Sequence, residues 1–122
     1  MATLIYVAAP YTHPEPHMMA YRFEFCRRWL AETFAQTELG NIRYSPIVHW
    51  HSVAGVYNLG VTAETYEQHN KTMLSVMDRL EVLNIPGWNT SVGVDMEMKW
   101  AQEFGIPITH ILYNKEQNYF HR

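Results

Sequence analysis

The run Thr3-Leu4-Ile5-Tyr6-Val7-Ala8-Ala9 carries no charge and stops at Pro10. Apolar, β-branched and aromatic residues at successive positions do not suit a sheet with one wet face. They fit a strand buried on both faces, as in a parallel sheet. This strand constrains everything after it, because the remaining elements must supply the layers that cover it.

The chain supplies them in alternation. Tyr11 to Pro16 reads as a loop. Met18 to Leu39 reads as a long helix, with Met19, Phe23, Cys26, Leu30 and Phe34 at helical spacing and Gly40 as its stop. Ile42 to Val48 is a second strand candidate, interrupted by Pro46, and His49 to Gly60 reads as a loop. A second helix is expected from Thr62, a possible N-cap, to about Met77. Arg79 to Ile85 reads as a third buried strand, Pro86 to Ser91 as a turn, and Gly93 to Phe104 as a helix closed by Gly105. Pro107 to Tyr113 is a last strand, and the tail from Asn114 to Arg122 has no clear period. Strands alternating with helices predict an α/β fold of three layers, with an open, mostly parallel sheet of flavodoxin-like or Rossmann-like type. With 122 residues and neither a repeat nor a linker, residues 1–122 are expected to form one domain.

Composition narrows the partners. The chain is 48% hydrophobic and 17% charged, which argues against disorder. Its net charge of −3 builds no basic surface for a nucleic-acid polymer, so a small-molecule ligand is expected. The lone cysteine, Cys26, forbids an internal disulfide and fits a reducing compartment. No apolar run is long enough to span a membrane, and Met1 to Ala9 lacks the pattern of a signal peptide. A cytoplasmic protein with no membrane partner is the expectation.

In parallel sheets, ligands bind beyond the carboxyl ends of the strands. The segment from Pro86 to Glu97 leads from such an end into a helix. Free amides at a helix start favour an anion, Ser91 adds a hydroxyl, and Gly93 permits close approach. A phosphate fits that corner; equally, Ser91 can serve only as a helix cap. Glu97 lies about one turn into this helix among Met, Val and Trp residues. A carboxylate in an apolar setting near a strand-end crevice is a candidate nucleophile or acid/base, against the alternative of an exposed helix glutamate. Asp95, two residues earlier, points elsewhere.

Two stretches resemble a known family. Tyr6-x-Ala8-x-Pro10-Tyr11 is similar to the opening of nucleoside 2-deoxyribosyltransferases, and Ser91-x-Gly93-x-x-x-Glu97, then Ala101 and Gly105-Ile106-Pro107, to their catalytic segment. The Ser-x-Gly-x-x-x-Glu spacing also resembles the 2′-deoxynucleoside 5′-phosphate N-hydrolase branch. Pro86-Gly87-Trp88 and Ser45-Pro46-Ile47 look closest to an uncharacterised phage or bacterial subgroup. The resemblance runs from Leu4 to about Leu112. It implies cleavage or transfer at the N-glycosidic bond of a deoxynucleoside or its 5′-monophosphate, through a glycosyl intermediate on Glu97, with Tyr6 orienting that carboxylate. It also implies a homodimer or larger homo-oligomer. One position departs: where the family carries an aspartate on the helix before the third strand, this chain has Asn70, which can hydrogen-bond but cannot act as a general acid. His69 is a possible substitute, and Asp78 reads as a strand-start residue.

Seven histidines raise the question of a metal. His49-Trp50-His51 alone is a weak signal, with no cysteine pair or H-E-x-x-H motif beside it, so neither metal nor cofactor is expected. Aromatic residues in strand-end loops suit a flat base. Tyr11, His49, Trp50 and Trp88 are therefore candidate substrate contacts with Pro10, Ser91 and Gly93, against the alternative that Trp50 and His51 pack a loop core or interface. Arg22, Arg27 and Arg28 lie on the first helix, and a charge run there is ordinarily a solvated face. A non-catalytic nucleotide-binding module on the same fold is the second reading, favoured by Asn70. A redox module is a weaker third, since there is no C-x-x-C motif and no glycine-rich phosphate fingerprint.

Overall fold

The computed structural model describes residues 2–36, 40–57, 63–114 and 119–121. The apolar run forms β1 (Thr3–Ala8), and Ile5, Tyr6 and Val7 are fully buried. Helix α1 (Pro16–Ala35) leads to β2 (Asn41–Tyr44) and α2 (Pro46–Tyr57). Helix α3 (Ala63–Ser75), β3 (Arg79–Asn84), a single 3₁₀ turn (Trp88–Thr90), α4 (Val92–Phe104), β4 (Ile108–Asn114) and β5 (Tyr119–His121) follow. The sheet order is β2-β1-β3-β4-β5. The first four strands are parallel and β5 pairs antiparallel with β4. This is the flavodoxin-like order with the fifth strand reversed, and the order reverses direction between β1 and β3.

Both sheet faces are covered. On one, Val7, Leu83, Ile85 and Ile111 pack under Phe25, Cys26 and Trp29 of α1. On the other, Tyr6, Ala8, Leu80 and Val82 pack under Leu74 of α3 and Val94 and Ala101 of α4. No helix among the described residues is long and apolar enough to cross a membrane.

Four expectations change. The second strand ends at Tyr44, and the expected loop from His49 is helical in α2 as far as Tyr57, with residues 58–60 outside the described ones. Ser45 Oγ accepts from Val48 N at 3.2 Å, so Ser45-Pro46 starts a helix, where proline's missing donor costs nothing. Residues 46–57 carry no charge, so no polar stripe betrays the helix. The stripe on α1 is rotated from the expected one: Phe25, Cys26, Trp29 and Thr33 are buried, while Phe34 is 89% exposed. Thr33 tolerates burial because its hydroxyl donates to the Trp29 carbonyl at 2.7 Å. The tail contains β5, whose Phe120 is buried against Phe25 and Trp29. Thr62, the expected cap, lies outside the described residues. Asp78 joins strand starts: its carboxylate accepts from Leu4 N, and its own N donates to the Leu4 carbonyl, both at 2.8 Å.

A buried ion pair ties β2 and β3 across β1. Glu81 is fully buried, and Arg43 donates to it through Nε at 2.8 Å and Nη2 at 3.0 Å. Trp29 Nε1 adds a bond at 2.9 Å from α1. Removing one partner strands a buried charge, at about 3–5 kcal/mol. Glu81→Ala is expected to lose that much in denaturant unfolding. Adding Arg43→Met to it should restore a good part; a double variant as unstable as the single would refute the account.

Candidate active site

The carboxyl ends of β1 and β3 open into a cleft of about 730 Å³. Helix α4 points its start at this cleft. Ser91 accepts from Val94 N at 3.2 Å and Gly105 ends the helix at φ 70°. Ser91 is thus the N-cap, and it still lines the cleft. A Cβ at Gly93 would meet no atom nearer than Ser91 Oγ at 3.9 Å, so packing within the chain does not demand a glycine there. The first-turn amides have no helical acceptor and face anions favourably.

Glu97 is on the inner face of α4 with Val94 and Ala101, 8% exposed. Asp95 faces solvent and pairs with Lys99 at 2.9 Å. Burial pushes the Glu97 carboxyl up to about 7, and interaction with Tyr6 pulls the other way. Burial first, then the nearby Glu97 carboxyl, raise the Tyr6 phenol. The two groups face each other, yet the buried Tyr6 hydroxyl has no partner in strict hydrogen-bond geometry. A small rotation or an arriving ligand can close that bond. Tyr44, paired with Tyr6 across β1 and β2, adds a second buried and unpartnered hydroxyl. Its phenol is pushed up to about 12 by burial and then by Glu97. Cys26 is buried on the far face, and burial pushes its thiol up to about 12, which leaves it inert as a nucleophile.

Six of the expected site residues line the cleft: Glu97, Asn70, Ser91, Gly93, Tyr11 and Trp50. Tyr6 lies beneath Glu97, fully buried. Pro10, His49 and Trp88 are not among the lining residues. Pro10 is buried in the strand-end turn. His49 points out of α2 and stacks on His69 at 5.8 Å. Trp88 packs on His110 and the α4 core. His69 accompanies Asn70, 3.3 Å away, but does not line the cleft.

Other lining residues escaped the sequence reading. Tyr66 and Glu67 precede Asn70 by about one turn, and Met96 and Trp100 flank Glu97, so helical spacing could have found them. His51, read from the sequence with Trp50 as a residue able to pack a loop core, bonds Tyr11 Oη through Nδ1 at 2.6 Å and stacks on Phe23 at 4.2 Å, which locks the ring in the cleft wall. Arg22 reads in the sequence as part of a solvated charge run, and the structure instead turns it into the cleft wall. Among the described residues no cluster of three metal-ligating side chains occurs. Among the described residues the cleft therefore combines aromatic walls, the Arg22 cation, a helix start and a carboxyl buried beside two phenols.

These features define an α/β protein with a cleft at the switch point of a mostly parallel sheet. The chain belongs to the family described as a domain of unknown function, DUF1937, whose model matches residues 3–113. No curated protein matches the chain. Among solved structures, a 2-desoxiribosyltransferase from Leishmania mexicana is similar in fold, with a TM-score of 0.55 and 15% identity. The match covers 92% of this chain and 65% of that one.

The raised carboxyl has a consequence for stability. An unfolded glutamate titrates near 4.3, whereas folded Glu97 holds its proton to about 7. Between those pH values the folded chain binds more protons, so stability falls as pH rises, by about 4 kcal/mol in all. Below the window the contribution is intact; above it the loss is complete. Glu97→Gln should therefore melt higher than wild type at pH 8 and lose the advantage at pH 5. Parallel melting profiles would contradict the burial account.

Proposed function

We propose that the cleft cleaves or transfers at the N-glycosidic bond of a deoxynucleoside or its 5′-monophosphate, with Glu97 as nucleophile. The observation that carries this reading is the buried Glu97 carboxyl facing Tyr6 at the switch-point cleft. The fold shared with a 2-desoxiribosyltransferase supports it.

In this reading a Glu97 oxygen attacks the anomeric carbon, the carbon–nitrogen bond breaks, and the base leaves with the bonding pair. The base takes up a proton. Water or a second base then attacks the glycosyl-enzyme, releases the Glu97 carboxylate and gives up a proton. Tyr6 orients the carboxylate and favours its charged form. Tyr11, Trp50 and Trp100 offer stacking surfaces to the base. Asn70 lines the cleft and supplies a hydrogen bond without an acid proton. That position favours a second reading, a cleft that binds a nucleotide without turnover. The resemblance in sequence also suggests a homo-oligomer, and the lone cysteine suggests a cytoplasmic one.

Incubation with a panel of deoxynucleosides and monophosphates, with and without a second base, tests the reaction by chromatography. Base release or exchange is expected, and Glu97→Ala should abolish it while the fold persists. Turnover near the wild-type level in that variant would remove the mechanism, and binding with no turnover in wild type would select the second reading.

Glu97 must be ionised to attack, so kcat/KM should rise with pH through about 7. Tyr6→Phe removes the group that lowers the Glu97 pKa. The rising limb should then move to higher pH and kcat should fall about tenfold or more. An unmoved limb would separate Tyr6 from Glu97.

A further inference from the structure

The loops after β1 and β3 frame the cleft, and one cation reaches both. Arg22 Nη1 donates to the Thr12 carbonyl at 3.0 Å. Its Nη2 lies against Gly87, where an added Cβ would sit 2.7 Å away. Gly87 also has φ 95°, so turn and close approach both call for glycine. Arg22 lines the cleft with Thr12, Gly87, Thr90 and Ser91.

This arginine is unlike the other described ones. Arg27, Arg28, Arg43 and Arg79 each face a carboxylate. Among the described residues Arg22 forms no ion pair, and its buried Nε has no hydrogen-bond partner. An unsatisfied buried donor on a charged group is costly. The fork geometry of a guanidinium matches a phosphate, which can accept from two of its nitrogens at once.

Position along α4 agrees. Ser91 caps the helix whose first amides face the cleft, and Glu97 comes six residues later. Six residues rise about 9 Å along a helix, a span that a phosphorylated pentose bridges with its phosphate at one end and its anomeric carbon at the other.

We propose that Arg22, seated on Gly87 and Thr12, is the residue by which the cleft selects a phosphate monoester, the 5′-phosphate of a deoxynucleoside monophosphate. This rests on the reading of Glu97 as the group that meets the sugar.

Calorimetric titration tests it in Glu97→Gln protein, where turnover is blocked. The probes are the deoxynucleosides, their 5′-monophosphates and inorganic phosphate. At least one monophosphate should bind tenfold or more tightly than its nucleoside, and inorganic phosphate should compete with it. Arg22→Gln, introduced into the same protein, should bring the ratio of the two affinities toward one. Arg22→Lys, a point charge without the fork, should leave an intermediate ratio, and it decides the matter if the glutamine variant does not fold. Equal affinities for nucleoside and monophosphate in Arg22-bearing protein would overturn the proposal. So would a ratio unchanged by either substitution, or no monophosphate binding at millimolar concentration. Monophosphate selectivity with no base release in wild type would leave Arg22 standing and remove the role of Glu97 alone.

Discussion

Glu81 is a fully buried carboxylate, and the Arg43 guanidinium that grips it comes from a strand two places away in the sheet. The pair closes over β1, whose Ile5 and Val7 lie beneath it in register with Arg43 and Glu81. Trp29 reaches the same carboxylate from α1. Pairing on this scale makes a buried charge tolerable and leaves few registers in which it can be satisfied. The order of β2, β1 and β3, and the rotation of α1 that carries Trp29 inward, are those in which Glu81 is satisfied. The cleft exists because those strands end side by side.

On the opposite face of the sheet, Glu97 is a buried carboxyl treated in the contrary way. No cation faces it among the described residues, and its surroundings are Val94, Ala101 and the phenols of Tyr6 and Tyr44. Desolvation without a counter-charge holds its proton to about 7, whereas its neighbours can stabilise the anion once it forms. One carboxylate is thus spent on architecture and the other is kept poised to gain or lose a proton near neutrality. It is this second carboxyl that the proposed function uses as the nucleophile.

Local signals carried much of this. The uncharged run at Thr3–Ala8 specifies a strand buried on both faces, because no polar residue offers it a wet side. Ser91 and Gly105 mark the ends of α4 through a cap and a left-handed turn, chemistry that acts within a few residues. The inward position of Glu97 follows from its spacing to Val94 and Ala101 on that helix. The sequence by itself therefore determined the parallel α/β sheet, a first strand buried on both faces, and the helix that brings one glutamate to a strand-end crevice.

Tertiary structure alone decided what surrounds that glutamate. His51 and Tyr11 are 40 residues apart and meet at 2.6 Å; Trp29 and Glu81 are 52 apart and meet at 2.9 Å. Helix α2 has no charged face to display a period, and β5 is a strand only because β4 offers an edge and α1 offers Phe120 a hollow. Arg22 reads as one more surface charge on a helix until Gly87, sixty-five residues on, leaves room beside it. Caps, turns and helical faces are short-range and can be read along the chain. Which cation lies unpaired in a cleft depends on strand order, and strand order is set only when the buried groups of distant segments are satisfied together.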